Sequence, residues 1–222
     1  MNLHHDQEAF REFVIAASNE LQIPPGIIEK DYYVTLALRA LASRVKAVGI
    51  KAGVIETYIA LLPFPTVNRM ADNYIYRFLK KTEQEDLAEE FDLMPFEIKT
   101  QAIERTLIDK VFAVCDYYLS DKVEGHSRHL YDIYKIMEYT VPDAFLSGLV
   151  QEVRSLREPL PVCPSAKTGV CINDLLAEII HKEIYRQDHE RITGKLLFTY
   201  LPYETVIGGV EEIISKGYFS ST

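Results

Sequence analysis

The sequence predicts an α+β fold that is mostly helical. Three observations carry this. Apolar residues recur at three- and four-residue spacing through most of the 222 residues. Strict alternation is confined to one long stretch near residues 49–67. Pro- and Gly-containing breaks separate the segments. A hydrophobic share of 48% with 26% charged residues is that of a chain with a packed core. The length admits one large domain or two small ones, and the change of texture near residue 100 divides the chain into 1–100 and 101–222.

The first helix spans 6–20, where Phe10, Phe13, Val14 and Ala17 share a side. IPPG at 23–26 ends it and opens the next, since proline fits a helix's first turn. The second helix, 25–45, carries a stripe of Ile28, Tyr32, Thr35, Leu38 and Ala42, widened by Val34 and Leu41, and expects cover on more than one side. Together they form an N-terminal helical hairpin. Residues 50–62 then alternate as a strand, ended by Pro63 and Pro65. A lone strand cannot satisfy its own edges. Only VNRM at 67–70 and FEIKTQAI at 96–103 are candidate partners, both weak. Residues 72–92 read as a short helix or strand followed by an acidic, solvated helix.

From Ile103 the pattern is a helical bundle, with helices at 103–119, 127–139, 143–156, 173–186 and 203–216. A Pro-rich connector fills 157–174, with Asn173 or Asp174 as a cap for the next helix. In the 103–119 helix, Leu107, Val111, Val114 and Tyr118 make the buried stripe. Lys110 borders it, and Asp109 and Asp116 lie on the far side, Asp109 within reach of Arg105. Lys110 is either a snorkelling stem at the core edge or a cation aimed at a cleft. In the next helix Leu130, Tyr134 and Met137 pack, while Arg128 and Asp132 stand one turn apart as an i,i+4 pair. Gly208–Gly209 marks local softening or close packing.

Several function classes fall away. A formal charge of −9 does not suit a protein that wraps nucleic acid over its whole surface. No run reaches the length of a membrane span, so cytoplasmic residence is the expectation. Cys115, Cys163 and Cys171 make neither a disulfide framework nor a zinc pattern. No nucleophile stands at triad spacing from His126 or His129. HExxH, Walker and GxGxxG motifs are absent.

The stretches IPPGIIEKDYYVTLALRAL at 23–41, PFEIKTQAIERTLIDKVFAVCDYYL at 95–119 and HSRHLYDIYKI at 126–136 resemble the nucleotidyltransferase AbiEii/AbiGii toxin family of abortive-infection, type IV toxin–antitoxin systems. The likeness continues through CPSAKTGVCINDLLAEII and ERITGKLLF. It implies a nucleotidyltransferase mixed sheet with flanking helices, followed by a helical domain. It also implies transfer of a nucleotide from an NTP to an acceptor such as RNA, Mg2+ as cofactor, and a cognate antitoxin as partner. In that family a Gly-rich loop holds the triphosphate, and an Asp-x-Asp strand with a third carboxylate holds the metal. Clustered carboxylates are what a two-metal site requires.

By the same resemblance Glu56 matches the third carboxylate, Lys110 the lysine of the helical motif that faces NTP phosphate, and Arg128 with Asp132 the Arg…Asp motif. Yet no Asp-x-Asp occurs in the sequence, and no Gly-rich loop follows the EKDYY helix. Glu83 and Glu85 form a Glu-x-Glu, but inside the acidic helical run with no phosphate loop before it. The reading is therefore a family member whose catalytic core segment is deleted, with a remnant sheet and no productive metal or NTP site. The alternative is a non-enzymatic, antitoxin-associated interaction module built on the helical domain.

Overall fold

The computed structural model describes residues 2–42, 47–51, 54–58, 64–140, 143–197 and 199–219, with the backbone alone for 47–51 and 54–58. The fold is α+β and mostly helical, and it divides into two compact units, residues 1–101 and 102–222.

In the first unit, α1 (Gln7–Leu21) starts from Asp6, whose carboxylate accepts the Ala9 N–H at 3.0 Å. It ends at Gln22 in the left-handed conformation. Pro25 opens α2 (Pro25–Ala42), which buries Ile28, Tyr32, Thr35 and Leu38, the stripe expected from spacing. The last residues expected for this helix, 43–45, lie outside the described residues. Strands β1 (Ala47–Lys51), β2 (Val54–Tyr58), β3 (Thr66–Ala71) and β4 (Phe96–Gln101) form one sheet in the order β2-β1-β4-β3. β1 runs parallel to β4, and the two outer pairings are antiparallel, so the sheet is mixed.

The expected lone strand at 50–62 is corrected here. Residues 47–51 and 54–58 are two strands paired with each other, Lys51 facing Val54 in register. Of the two weak candidates, 96–103 supplies β4, which pairs with β1, and 67–70 lies in β3, which pairs with β4 on its other side. Alternation reads straight through so short a connection, and Ala52–Gly53 lacks the Asn-Gly or Asp-Gly chemistry that marks a reversal. Helices α3 (Tyr74–Lys81) and α4 (Glu85–Glu90) sit between β3 and β4 in the chain. They share a core with α1 and α2 built on Leu3, Ala17, Ile28, Tyr32, Ile75 and Leu79. Asn73 caps α3 through Tyr76 N–H at 2.8 Å, and Asp31 of α2 accepts the next free donor, Tyr74 N–H, at 2.7 Å.

The second unit is organised around α5 (Ile103–Leu119). α6 (Arg128–Met137), α7 (Ala144–Arg157), α8 (Ile172–His181) and α11 (Tyr203–Lys216) supply its remaining longer helices. Between α8 and α11 lies a helical segment absent from the sequence reading. It comprises α9 (Arg186–Asp188), a π-helical turn (His189–Thr193) and α10 (Gly194–Leu196). α8 starts one residue earlier than expected, and neither Asn173 nor Asp174 caps it. α5 is buried nearly all round: Leu107, Ile108, Val111, Phe112, Val114 and Cys115 are inaccessible.

The two adjacent glycines of α11 differ in role. A Cβ on Gly209 would lie 2.7 Å from Tyr134 Cα and 3.0 Å from Tyr134 N, so α6 and α11 approach backbone to backbone there. A Cβ on Gly208 would meet nothing within 4 Å. Gly209→Ala is expected to cost about 1–3 kcal/mol through forced separation of the helices. Gly208→Ala is expected to be neutral or to stabilise by up to about 1 kcal/mol through helix propensity. Urea unfolding of the two variants checks this, and equal midpoints would contradict the close approach.

Candidate functional site

Lys110 and Asp132 meet at the contact between α5 and α6. The Lys110 Nζ donates to Asp132 Oδ2 at 2.5 Å. The lysine side chain is 7% exposed and the aspartate 32%. Lys110 therefore neither snorkels at a core edge nor stands open to a cleft. It is buried, and a buried ammonium requires a carboxylate partner. The expected Arg128–Asp132 pair is not formed. Helical spacing favours that pair only weakly, and the desolvated Lys110 makes the stronger demand on Asp132. His129 Nδ1 approaches the same carboxylate at 3.9 Å.

Arg128, the first residue of α6, turns its Nη1 to the Gly125 carbonyl at 2.7 Å. It makes no ion pair among the described residues, and its Nε is buried without a hydrogen-bond partner. Beside it the Tyr117 ring stacks on His126 at 3.5 Å and lies parallel to His129 at 5.7 Å. Burial, helped by the Arg128 charge, holds His126 below the ordinary histidine range.

The turn before α6 is fixed from a distance. Asp188 accepts Gly125 N–H at 2.7 Å and Ser127 N–H at 2.9 Å. Ser127 Oγ meets Thr193 Oγ1 at 2.6 Å. Burial pushes the Asp188 carboxyl up, but the hydrogen bonds from Ser127 and Gly125 outweigh it and leave the group below the usual aspartate range. Asp188, Thr193 and Tyr117 were not singled out from sequence, since the bonds from Asp188 and Thr193 span more than sixty residues.

On another side of α5, Asp116 is buried rather than facing solvent. It accepts Ser165 N–H at 2.9 Å, Ser165 Oγ–H at 2.6 Å and Arg157 Nη2 at 3.0 Å. Arg157 also reaches Asp109 at 3.1 Å, and Arg105 pairs with Asp109 at 3.1 Å as the spacing predicts. This network braces the 157–171 connector, whose three-residue helical turn Pro164–Ala166 carries Ser165.

Residues 53–207 match the family model described as nucleotidyl transferase AbiEii toxin, type IV TA system. The chain belongs to this family. No curated protein and no solved structure matches it significantly. The AbiEii match contains Glu56, Lys110, Arg128 and Asp132, whereas the 23–41 stretch lies outside it.

The family implies Mg2+ and an NTP. Among the described residues no three His, Cys, Asp or Glu side chains gather as a metal-ligand set. Glu56 stands on β2 opposite Gly49 and is that strand's sole carboxylate; its side chain lies outside the description. Glu83 and Glu85 flank the start of α4, Glu83 with φ of 57°. Among the described residues the donor set does not fit a two-metal clamp, which needs clustered carboxylates. No helix among the described residues is long and apolar enough to cross a membrane.

Proposed function

We propose that this AbiEii-family chain holds phosphate groups without transferring nucleotides. The observation that carries the reading is the allocation of charge. Lys110 is committed to Asp132, the sequence contains no Asp-x-Asp pair, and Arg128 is left with a carbonyl as its hydrogen-bond partner. A guanidinium without a carboxylate is suited to phosphate, which it meets through two parallel N–H bonds. A lone Glu56 would not supply the clustered carboxylates that hold two Mg2+ ions, so in-line transfer would lack its main charge neutralisation. The cognate antitoxin of the type IV system is the protein partner this reading expects.

The expected result is no incorporation of labelled NTPs into bulk tRNA, with or without Mg2+, at a protein concentration where an AbiEii-family transferase labels readily. Magnesium-dependent labelling that disappears in Glu56→Ala would overturn the inactive reading. The phosphate-holding half is tested separately. Inorganic triphosphate is expected to bind weakly by calorimetry, with affinity reduced about tenfold or more in Arg128→Ala. Unchanged affinity in that variant would remove Arg128 from the site.

A further inference from the structure

We propose that Asp188 is a positioning residue for Arg128, acting through the Gly125 turn. The inference deepens the phosphate-holding reading and rests on it for its functional consequence. Gly125 has φ of +77°, a conformation that favours glycine. Its carbonyl is the group that holds Arg128 Nη1. Its N–H, together with that of Ser127, is held by the Asp188 carboxylate. One peptide segment is thus pinned on its donor side by Asp188 and presents its acceptor side to Arg128. Ser127 stands at the N-cap position of α6 and makes no side-chain cap, and its own N–H goes to the distant Asp188 carboxylate.

The π-helical turn explains how one short segment supplies both anchors. Asp188 and Thr193 are five residues apart. In an α-helix they would point about 140° from each other. The wider i→i+5 turn at His189–Thr193 brings such residues toward one side, and both reach Ser127, Asp188 at the backbone N–H and Thr193 at the hydroxyl. π-turns recur at functional sites, and here the turn is what aims a carboxylate and a hydroxyl at the start of α6. Asp188 is 8% exposed, so its charge is retained only because the N–H donors satisfy it.

The test uses the full chain by NMR, with Asp188→Asn, Asp188→Glu and Arg128→Ala compared with the parent. In Asp188→Asn, one acceptor oxygen becomes an NH2 that opposes an N–H. Amide exchange at Gly125 and Ser127 is expected to rise about tenfold or more, with the Arg128 Nε resonance moving. The His126 titration is also expected to fall further, because a nearby negative charge is lost. Triphosphate affinity is expected to drop toward that of Arg128→Ala, and Asp188→Glu to recover part of it.

If Asp188→Asn lowers the melting temperature but leaves the Arg128 and His126 signals and triphosphate affinity unchanged, Asp188 is merely structural and the proposal fails. If the parent binds no triphosphate, the phosphate-holding reading fails, while the Arg128 and amide signals still decide the placement. Should Asp188→Asn not fold, acid titration of the parent replaces it. The Gly125, Ser127 and Arg128 signals are then expected to move together with one midpoint below the ordinary aspartate range, and independent midpoints would overturn the link.

Discussion

Replacing Asp116 by alanine is expected to destabilise residues 102–222 by about 3–5 kcal/mol. The carboxylate is buried and serves three donors at once: Ser165 N–H, Ser165 Oγ–H and Arg157 Nη2. Alanine would leave the two Ser165 donors without this acceptor in a fully buried setting and remove one of the two carboxylates that Arg157 bridges. The cost is mainly the desolvation of donors left behind, which exceeds the net worth of the bonds themselves. Ser165→Ala is the informative comparison. It removes only the hydroxyl, leaves the backbone N–H and Arg157 on Asp116, and is expected to cost about 1 kcal/mol. Urea unfolding followed by hydrogen exchange of α5 and α7 peptides separates this unit from residues 1–101. An Asp116→Ala variant within about 1 kcal/mol of the parent would show that water replaces the network.

Asp116 also shows where sequence reading stops. The 103–119 helix was legible to the residue because its apolar spacing is strong. So was the 203–216 helix. The same wheel placed Asp116 on the far side of α5 from the apolar stripe, where the structure buries it. What it could not contain is the Pro-rich connector, which returns Ser165 to that side through contacts 49 residues away in sequence. The sheet failed differently: an alternating pattern does not announce a reversal lacking turn chemistry, so two strands read as one. In the site, Lys110, Arg128 and Asp132 could be singled out by family likeness, but their pairing could not. Local i,i+4 geometry competes with tertiary demand, and a buried ammonium wins that competition by several kcal/mol in order of magnitude. Asp188 gave no local signal at all, because its role exists only where the 186–196 segment meets the turn before α6.

The Lys110–Asp132 pair should respond asymmetrically to mutation. Asp132→Ala is expected to cost about 2–3 kcal/mol, since it strands an ammonium whose side chain is 7% exposed. The figure is set below the range for fully buried pairs because Asp132 itself is 32% exposed and the vacated space admits water. Lys110→Met is expected to stay within about 1 kcal/mol of the parent. Methionine comes close to the volume of the lysine stem at this buried position, and the remaining carboxylate can be hydrated from its open side. The double variant, Lys110→Met with Asp132→Ala, should recover most of what Asp132→Ala loses, giving a coupling of about 2 kcal/mol in a double-mutant cycle. Urea midpoints at constant m-value measure all three. Equal losses from the two single variants would mean that Lys110 is hydrated in solution, and the cation would then be available to phosphate after all. A large loss from Asp132→Ala alone instead marks Lys110 as a structural partner of Asp132, and the proposed phosphate site then rests on Arg128 without it.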